Sequence, residues 1–488
     1  LDIIFKSTNK KQNNKYNNMK KVFLYSMLIA ATSMGCRKIE MDGPTTVVTD
    51  TTSNQTVSTI LEGRISANLT LKAGYTYKLR GLVYVTNGAI LTIEPGTKIV
   101  GESGKNGGLI ITRSCKIIAD GTVDKPIVFT SEAATPQRGD WAGVILLGNA
   151  PTNASFNGVQ GIGEIEGGVN NSDGLGLYGT PASQGQNPAD NSGILRYVRI
   201  EYAGYAFLPD KEINGLTFGG VGNKTIIDNV QVSYANDDSF EWFGGTVNCT
   251  HLISFRTLDD DFDTDNGFSG KVQFGISLRD SSVADISKSE AFESDNDAAG
   301  SSLLPQTSAI FSNMTVMGPK EKLTNTGNSL FVWGAQIRRN SSLSLFNSII
   351  MGYPNGLYID ATKGVPTDNN IAGSLFVQNT IIAGCPTPVL YSLGTNTNTP
   401  LTPNTTATIT AWYNTADYGN SILATNDLVG LTAPFNYSTP DFNPTSGSPA
   451  VSGGSFTHPK LASGFTSVTY KGACAVGDTW WKTWTKFN

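Results

Sequence analysis

The feature that most constrains this chain is that it repeats itself. Val198-Arg199-Ile200-Glu201-Tyr202-Ala203 aligns with Val230-Gln231-Val232-Ser233-Tyr234-Ala235, 32 residues later. Asp237 to Glu241 aligns with Asp259 to Asp263 at a spacing of 22, and Gly245 then falls on Gly267. Asn313, Asn347 and Asn379 each open a similar segment, NMTVMGP, NSIIMGY-P and NTIIAGC-P, at spacings of 34 and 32. A unit near 22 residues with occasional insertions of about ten fits one turn of a solenoid, in which each short strand pairs in parallel with its equivalent one turn away. An antiparallel sandwich also has short strands, but equal spacing of similar segments favours stacking. The expected fold is all-β, a parallel β-helix with terminal caps.

Ala89-Ile90-Leu91-Thr92-Ile93, Gly108-Leu109-Ile110-Ile111-Thr112 and Pro126-Ile127-Val128-Phe129-Thr130 supply inward aliphatic ladders. Asn repeated at a corner fits an internal amide ladder, because Asn tolerates left-handed geometry. Open solenoid ends expose unpaired backbone and need covers. Leu61 to Leu82 is expected to cap the amino-terminal end. The body then spans 59–396, and 397–488 forms a Thr/Asn/Pro-rich wrapping segment with an aromatic cap (Trp480, Trp481, Trp484, Phe487) on the last turn. Tyr205 to Glu212 reads as an inserted loop. No convincing helical periodicity follows Cys36.

The amino terminus carries an address. Residues 1–18 are rich in Asn and Lys and read as an upstream extension. From Met19, Lys20 and Lys21 form a charged region and Val22 to Ala31 an apolar one, shorter than the ~20 residues of a membrane span. Ser33, Gly35 and Cys36 follow. A small residue before Cys, directly after such a run, resembles a bacterial lipobox, although Ser33 stands where Leu is usual. Residues 19–35 then form a lipoprotein signal peptide, Cys36 is the lipidation site, and 36–58 form a flexible tether too polar to build a core. The expected location is the cell envelope, with outer-membrane lipid as one partner through the acylated Cys.

Charged residues make up 15% of the chain and glycine numbers 53; this balance suits strands and turns better than helices. The net charge of −5 argues against a nucleic-acid partner. Cys115, Cys249, Cys385 and Cys474 lie far apart and form no CxxC pair, so structural zinc is not expected; they read as small buried hydrophobes, with a disulfide still open. Gly219-Gly220-Val221-Gly222 has no following helix and is a weak nucleotide motif. Only two His are present, His251 and His458, too few for a convincing Ser-His-Asp set.

Several stretches share wording with known sequences: LTIEPGTKIVG (Leu91 to Gly101), ADGTVDKPIVFTS (Ala119 to Ser131), GDWAGVILLGNAP (Gly139 to Pro151), DDSFEWFGGTVN (Asp237 to Asn248), DDDFDTDNGFSGKVQFG (Asp259 to Gly275) and the closing YKGAC…WWKTWTKF (Tyr470 to Phe487). In these the chain resembles a group of exported envelope lipoproteins of the Bacteroidetes lineage. The resemblance spans nearly the whole body. It implies a right-handed parallel β-helix and export, with anchoring here through the lipid, and it implies no reaction.

Chemistry concentrates between Asp237 and Asp297. By the repeat spacing, Asp238, Asp260 and Glu290 are equivalent; Glu241, Asp263 and Glu293 form a second set, each directly after a Phe, and Asp265 and Asp295 a third. Equivalent positions on a parallel solenoid lie about 4.8 Å apart, so these carboxylates repel unless something offsets them. Ca²⁺ does so with 6–8 oxygen ligands, which makes Asp238, Asp260, Asp261, Asp263, Asp265, Glu293 and Asp295 the candidate metal ligands, aided by carbonyls at Gly244, Gly245 and Gly267. Glu241, Trp242, Arg256 and Arg279 are the candidate ligand-binding residues. Two carboxylates could also serve glycoside hydrolysis, or Ca²⁺ with Arg256 or Arg279 as base could serve a polysaccharide lyase. Corner Asp residues facing water are the purely structural alternative. The leading expectation is a non-catalytic envelope protein that binds a polysaccharide or surface component, stabilised by Ca²⁺.

Overall fold

A computed structural model describes residues 59–102, 106–206 and 212–488. Cys36, the signal peptide and the tether lie outside the described residues, as do 207–211 of the loop expected at Tyr205 to Glu212. Within them, 26 strands join one continuous sheet. Each strand pairs in parallel with its equivalent one coil away, as in Leu69↔Leu91, Val198↔Val230, Phe240↔Phe262 and Ile349↔Ile381. Those registers are the spacings of the sequence repeat, so the parallel β-helix expected from it is the observed fold.

Stacking in register puts like on like. One inward column reads Ile93, Ala119, Leu195, Ile227, Cys249, Val272, Phe311, Leu345, Val377. All of these are buried in the central core. Cys249 therefore occupies an aliphatic position, and burial pushes its thiol pKa up. Cys115, Cys385 and Cys474 are likewise buried and unbonded. A second inward column is aromatic. Phe240, Phe262 and Phe292 stack with centroids 5.7 and 5.5 Å apart, and Phe218 lies 5.3 Å from Trp242.

The covers differ from expectation in three places. Ile60–Ile65 and Leu69–Leu71 already pair in parallel with Thr76–Val85 and Ile90–Ile93, so Leu61 to Leu82 is the first coil and no separate cap. At the other end the ladder continues past residue 396 to Ser421–Leu423, and the end of the core is covered by a helix, α1 (Thr406–Tyr413). This helix has no long apolar period for sequence reading to find; it is eight residues held by a Thr405–Thr408 capping box, with Ile409 and Tyr413 pressed on the core. The carboxy-terminal aromatics lie along the side of the solenoid and not on its last turn. Trp481 and Trp484 join one apolar cluster with Phe255, Leu278, Met317 and Met351, which follow one another in register from coil to coil, face outward and need an apolar lid.

Polar side chains fasten that lateral strap. Asn313, Asn347 and Asn379 do take left-handed φ of 57°, 51° and 53° at the corner. Their amides serve the strap more than one another: Asn313 donates to the carbonyls of Tyr470 and Gly472, and Asn347 donates to that of Ser455. Gln273 and Gln231 each exchange two hydrogen bonds with the strap backbone, at Thr466 and Lys486. Truncating the fully buried Trp484 to Ala should cost about 3–5 kcal/mol, read as a lower urea midpoint at unchanged secondary structure.

Candidate functional site

Strands Leu216–Gly219, Phe240–Phe243, Phe262–Asp265, Phe292–Ser294 and Trp333–Ile337 lie side by side. Alternation turns Phe240, Phe262 and Phe292 inward, so the residues after them face out. The outward column runs Thr217, Glu241, Asp263, Glu293, Gln336 in register. Just before each strand a second column forms a staggered ladder. The Asp238 N–H donates to Asn214 (3.2 Å), the Asp260 N–H to Asp238 (2.8 Å) and the Glu290 N–H to Asp260 (2.6 Å). Each of these bonds holds one side-chain oxygen.

These columns floor a cavity of about 630 Å³ lined by twelve carboxylates and three cations, Lys288, Arg338 and Arg339. Three groups bring carboxylate oxygens within 4.8 Å of one another: Asp237/Asp238/Asp259, Asp238/Glu241/Asp263 and Asp260/Glu290/Glu293. One wall comes from the insertion before Gly193, where the hairpin Ile162–Glu164/Leu177–Gly179 sets Tyr178 against Phe243 and Glu166 into the cavity. The arginines occupy one end. Arg338 pairs with Glu293 and with Asp295 (2.8 Å), and Arg339 also pairs with Asp295. Among the described residues no Lys or Arg pairs with Asp238, Glu241, Asp260 or Asp263, and Asp263 Oδ1 is buried without a hydrogen bond. Burial, reinforced by neighbouring carboxylates, pushes the pKa of Asp238, Glu241, Asp260 and Asp265 well up. Burial lifts Asp263 to about 7 and Asp259 to about 8.

A stacked parallel sheet with an outward acidic column is what a comparison with known families has to explain. A model described as a pectate-lyase-like β-helix domain matches residues 63–422. The chain belongs to that family. No curated protein matches it. The matched span holds every strand of the groove floor and stops within the last parallel strand, Ser421–Leu423, so the lateral strap is an addition to the pectate-lyase-like body.

Six of the candidate metal ligands, Asp238, Asp260, Asp263, Asp265, Glu293 and Asp295, line this groove, and Glu241 lies among them. Asp261, Trp242, Arg256 and Arg279 do not. Trp242 is an inward core residue stacked between Phe218 and Phe268. Arg256 pairs with Asp280 and lies over Tyr234 and Tyr437, away from the groove. Asp261 and Arg279 are fully buried and pair with each other at 3.1 Å. Ser254 (2.5 Å) and Ser277 also donate to Asp261. Burial opposes the Arg279 charge, but adjacent Asp261 outweighs it and holds the pKa above its usual value. Arg256 is thus partly exposed and Arg279 interior, and neither reaches the groove. Gly244, Gly245 and Gly267 turn a corner with φ of 68°, 88° and 86°, pack on Thr152, Val221 and Pro305, and are not among the residues that line the groove. Sequence reading missed Arg338 and Arg339, although Arg338 continues the Asp265–Asp295 column; an insertion lengthens the step to 43 residues and hides the register.

Two outcomes follow. Arg279→Met leaves a buried carboxylate unpaired and should lower unfolding free energy by about 3–5 kcal/mol in denaturant titration. In metal-free protein, Asp263 and Asp259 bind protons in the native state that an unfolded Asp, with pKa about 3.9, has released. Their stabilisation is complete below that value and is lost as pH rises through 7 and 8. Thermal midpoints in EDTA should fall from pH 5 to pH 8, and the Asp259→Asn/Asp263→Asn double variant should flatten that slope.

Proposed function

We propose that this β-helix is a cell-envelope lipoprotein that holds a polysaccharide in the acidic groove, with Ca²⁺ among the carboxylates, without chemically altering it. Attachment would be through acylated Cys36 to the outer membrane. The observation that carries the reading is the imbalance of the groove: among the described residues no Lys or Arg pairs with Asp238, Glu241, Asp260 or Asp263, and the arginines pair at the Glu293–Asp295 end. A cavity of about 630 Å³ is also far larger than one ion needs. A hard divalent cation is attracted by carboxylate oxygens that otherwise keep protons. Once bound, it offers open coordination positions to hydroxyl or carboxylate oxygens of a sugar. The family supports a glycan-related role through its β-helix description alone.

One observation favours a catalytic reading. Burial raises the pKa of Asp263 to about 7 and that of Asp259 to about 8, where a carboxyl group can act as a general acid at neutral pH. Arg338, held by Glu293 and Asp295, has its pKa raised by those neighbours despite burial and is a poor base.

The test is thermal unfolding of EDTA-stripped protein with and without Ca²⁺, followed by a polysaccharide binding screen in Ca²⁺. Saturating Ca²⁺ at a hundredfold excess over Kd should add about 2.7 kcal/mol, and Asp263→Asn with Asp265→Asn should remove the gain. Bound polysaccharide should be recovered at its original length. Release of reducing ends or unsaturated sugars would replace the binding reading with the enzymatic one, and no Ca²⁺ shift would remove the cation from it.

A further inference from the structure

We infer that the cation of the groove has one defined seat, the Asp238–Glu241–Asp263 cluster, with the Thr217 hydroxyl as a neutral fourth ligand. This rests on the cation-binding reading above and gives it an address. Of the three carboxylate groups, the Asp260/Glu290/Glu293 group already has a protein cation, because Arg338 pairs with Glu293. The Asp237/Asp238/Asp259 and Asp238/Glu241/Asp263 groups, which share Asp238, have none among the described residues; of these two, the second adjoins Thr217 through Glu241.

Thr217 supplies an independent observation. It is in register with Glu241 one coil away, and its neighbours Leu216 and Phe218 are core residues, so its side chain shares the outward face of Glu241. It is only 1% exposed, yet Oγ1 has no hydrogen-bond partner. Buried hydroxyls are nearly always bonded, and a cation beside Glu241 would accept this oxygen. Asp263 Oδ1, next in the same column, is also buried and unpartnered. The remaining oxygens are held in place from behind: Asn214 donates to Glu241 Oε2, and the Asp260 N–H donates to Asp238 Oδ1. A set of three carboxylates and a hydroxyl, with no nitrogen or sulfur donor, suits Ca²⁺, which takes 6–8 oxygens and accepts irregular geometry; water would complete the shell.

Isothermal titration of Ca²⁺ into the EDTA-stripped full-length chain tests this, using Thr217→Val, Thr217→Ser, Asp263→Asn and Glu290→Gln. Valine matches threonine in shape, and the thermal unfolding of each variant in EDTA checks that it is folded. Thr217→Val should weaken Ca²⁺ by at least about tenfold, as loss of a metal-supporting group does. Thr217→Ser should restore most of that affinity, Asp263→Asn should abolish binding, and Glu290→Gln should leave it unchanged. Wild-type affinity in Thr217→Val, or loss of binding in Glu290→Gln, overturns the assignment and leaves the cation elsewhere in the groove. A wild-type chain that binds no Ca²⁺ overturns the cation reading itself, which separates the two failures.

Discussion

Everything in this molecule depends on parallel strands stacking in register, about 4.8 Å apart. Register makes each side chain the neighbour of its own equivalent. Inside, that suits the chain: apolar lies on apolar from Ile93 to Val377, and phenylalanine on phenylalanine from Phe240 to Phe292. Outside, the same rule brings Glu241, Asp263 and Glu293 together. A site of this kind needs no loop to converge on a centre. Repetition creates it, and the electrostatic cost comes with it.

The backbone meets part of that cost. Each coil edge offers an N–H to the acid before it, so Asn214, Asp238 and Asp260 are held by the residues that stack on them. These bonds fix the side chains in place, but they do not remove the cost of ionising neighbouring carboxyls together. Among the described residues, the guanidinium groups that reach the groove pair with Glu293 and Asp295. The floor of the groove is therefore graded along the solenoid axis, from unneutralised acids on earlier coils to paired ones on later coils.

Sequence reading recovered what periodicity encodes. The 22-residue step from Phe240 to Phe262 and the 32-residue step from Val198 to Val230 are real registers, and the equivalence of Glu241, Asp263 and Glu293 followed from them. It failed where facing was not periodic. Asp261 sits between two outward acids yet points into the core, because it ends a corner where alternation has not begun. Trp242 stands among acids and so reads as a ligand-binding residue, while its parity with Phe240 places it inside. Arg338 was hidden by an insertion, and α1 by its single short amphipathic contact. The strap was legible as an aromatic cluster, but its destination depends on outward residues hundreds of positions earlier.

That strap changes how the solenoid can come into being. A plain stack of coils depends on nearest neighbours and can grow from one end. Here Trp484 accepts a hydrogen bond from Arg199 across 285 residues, and Lys486 is held by Gln231 across 255. The outward apolar face of the middle coils is thus sealed by a segment hundreds of residues downstream. Until it arrives, Phe255, Leu278 and Met351 stand bare. The coils behave as one cooperative body only after that downstream segment has folded back along them.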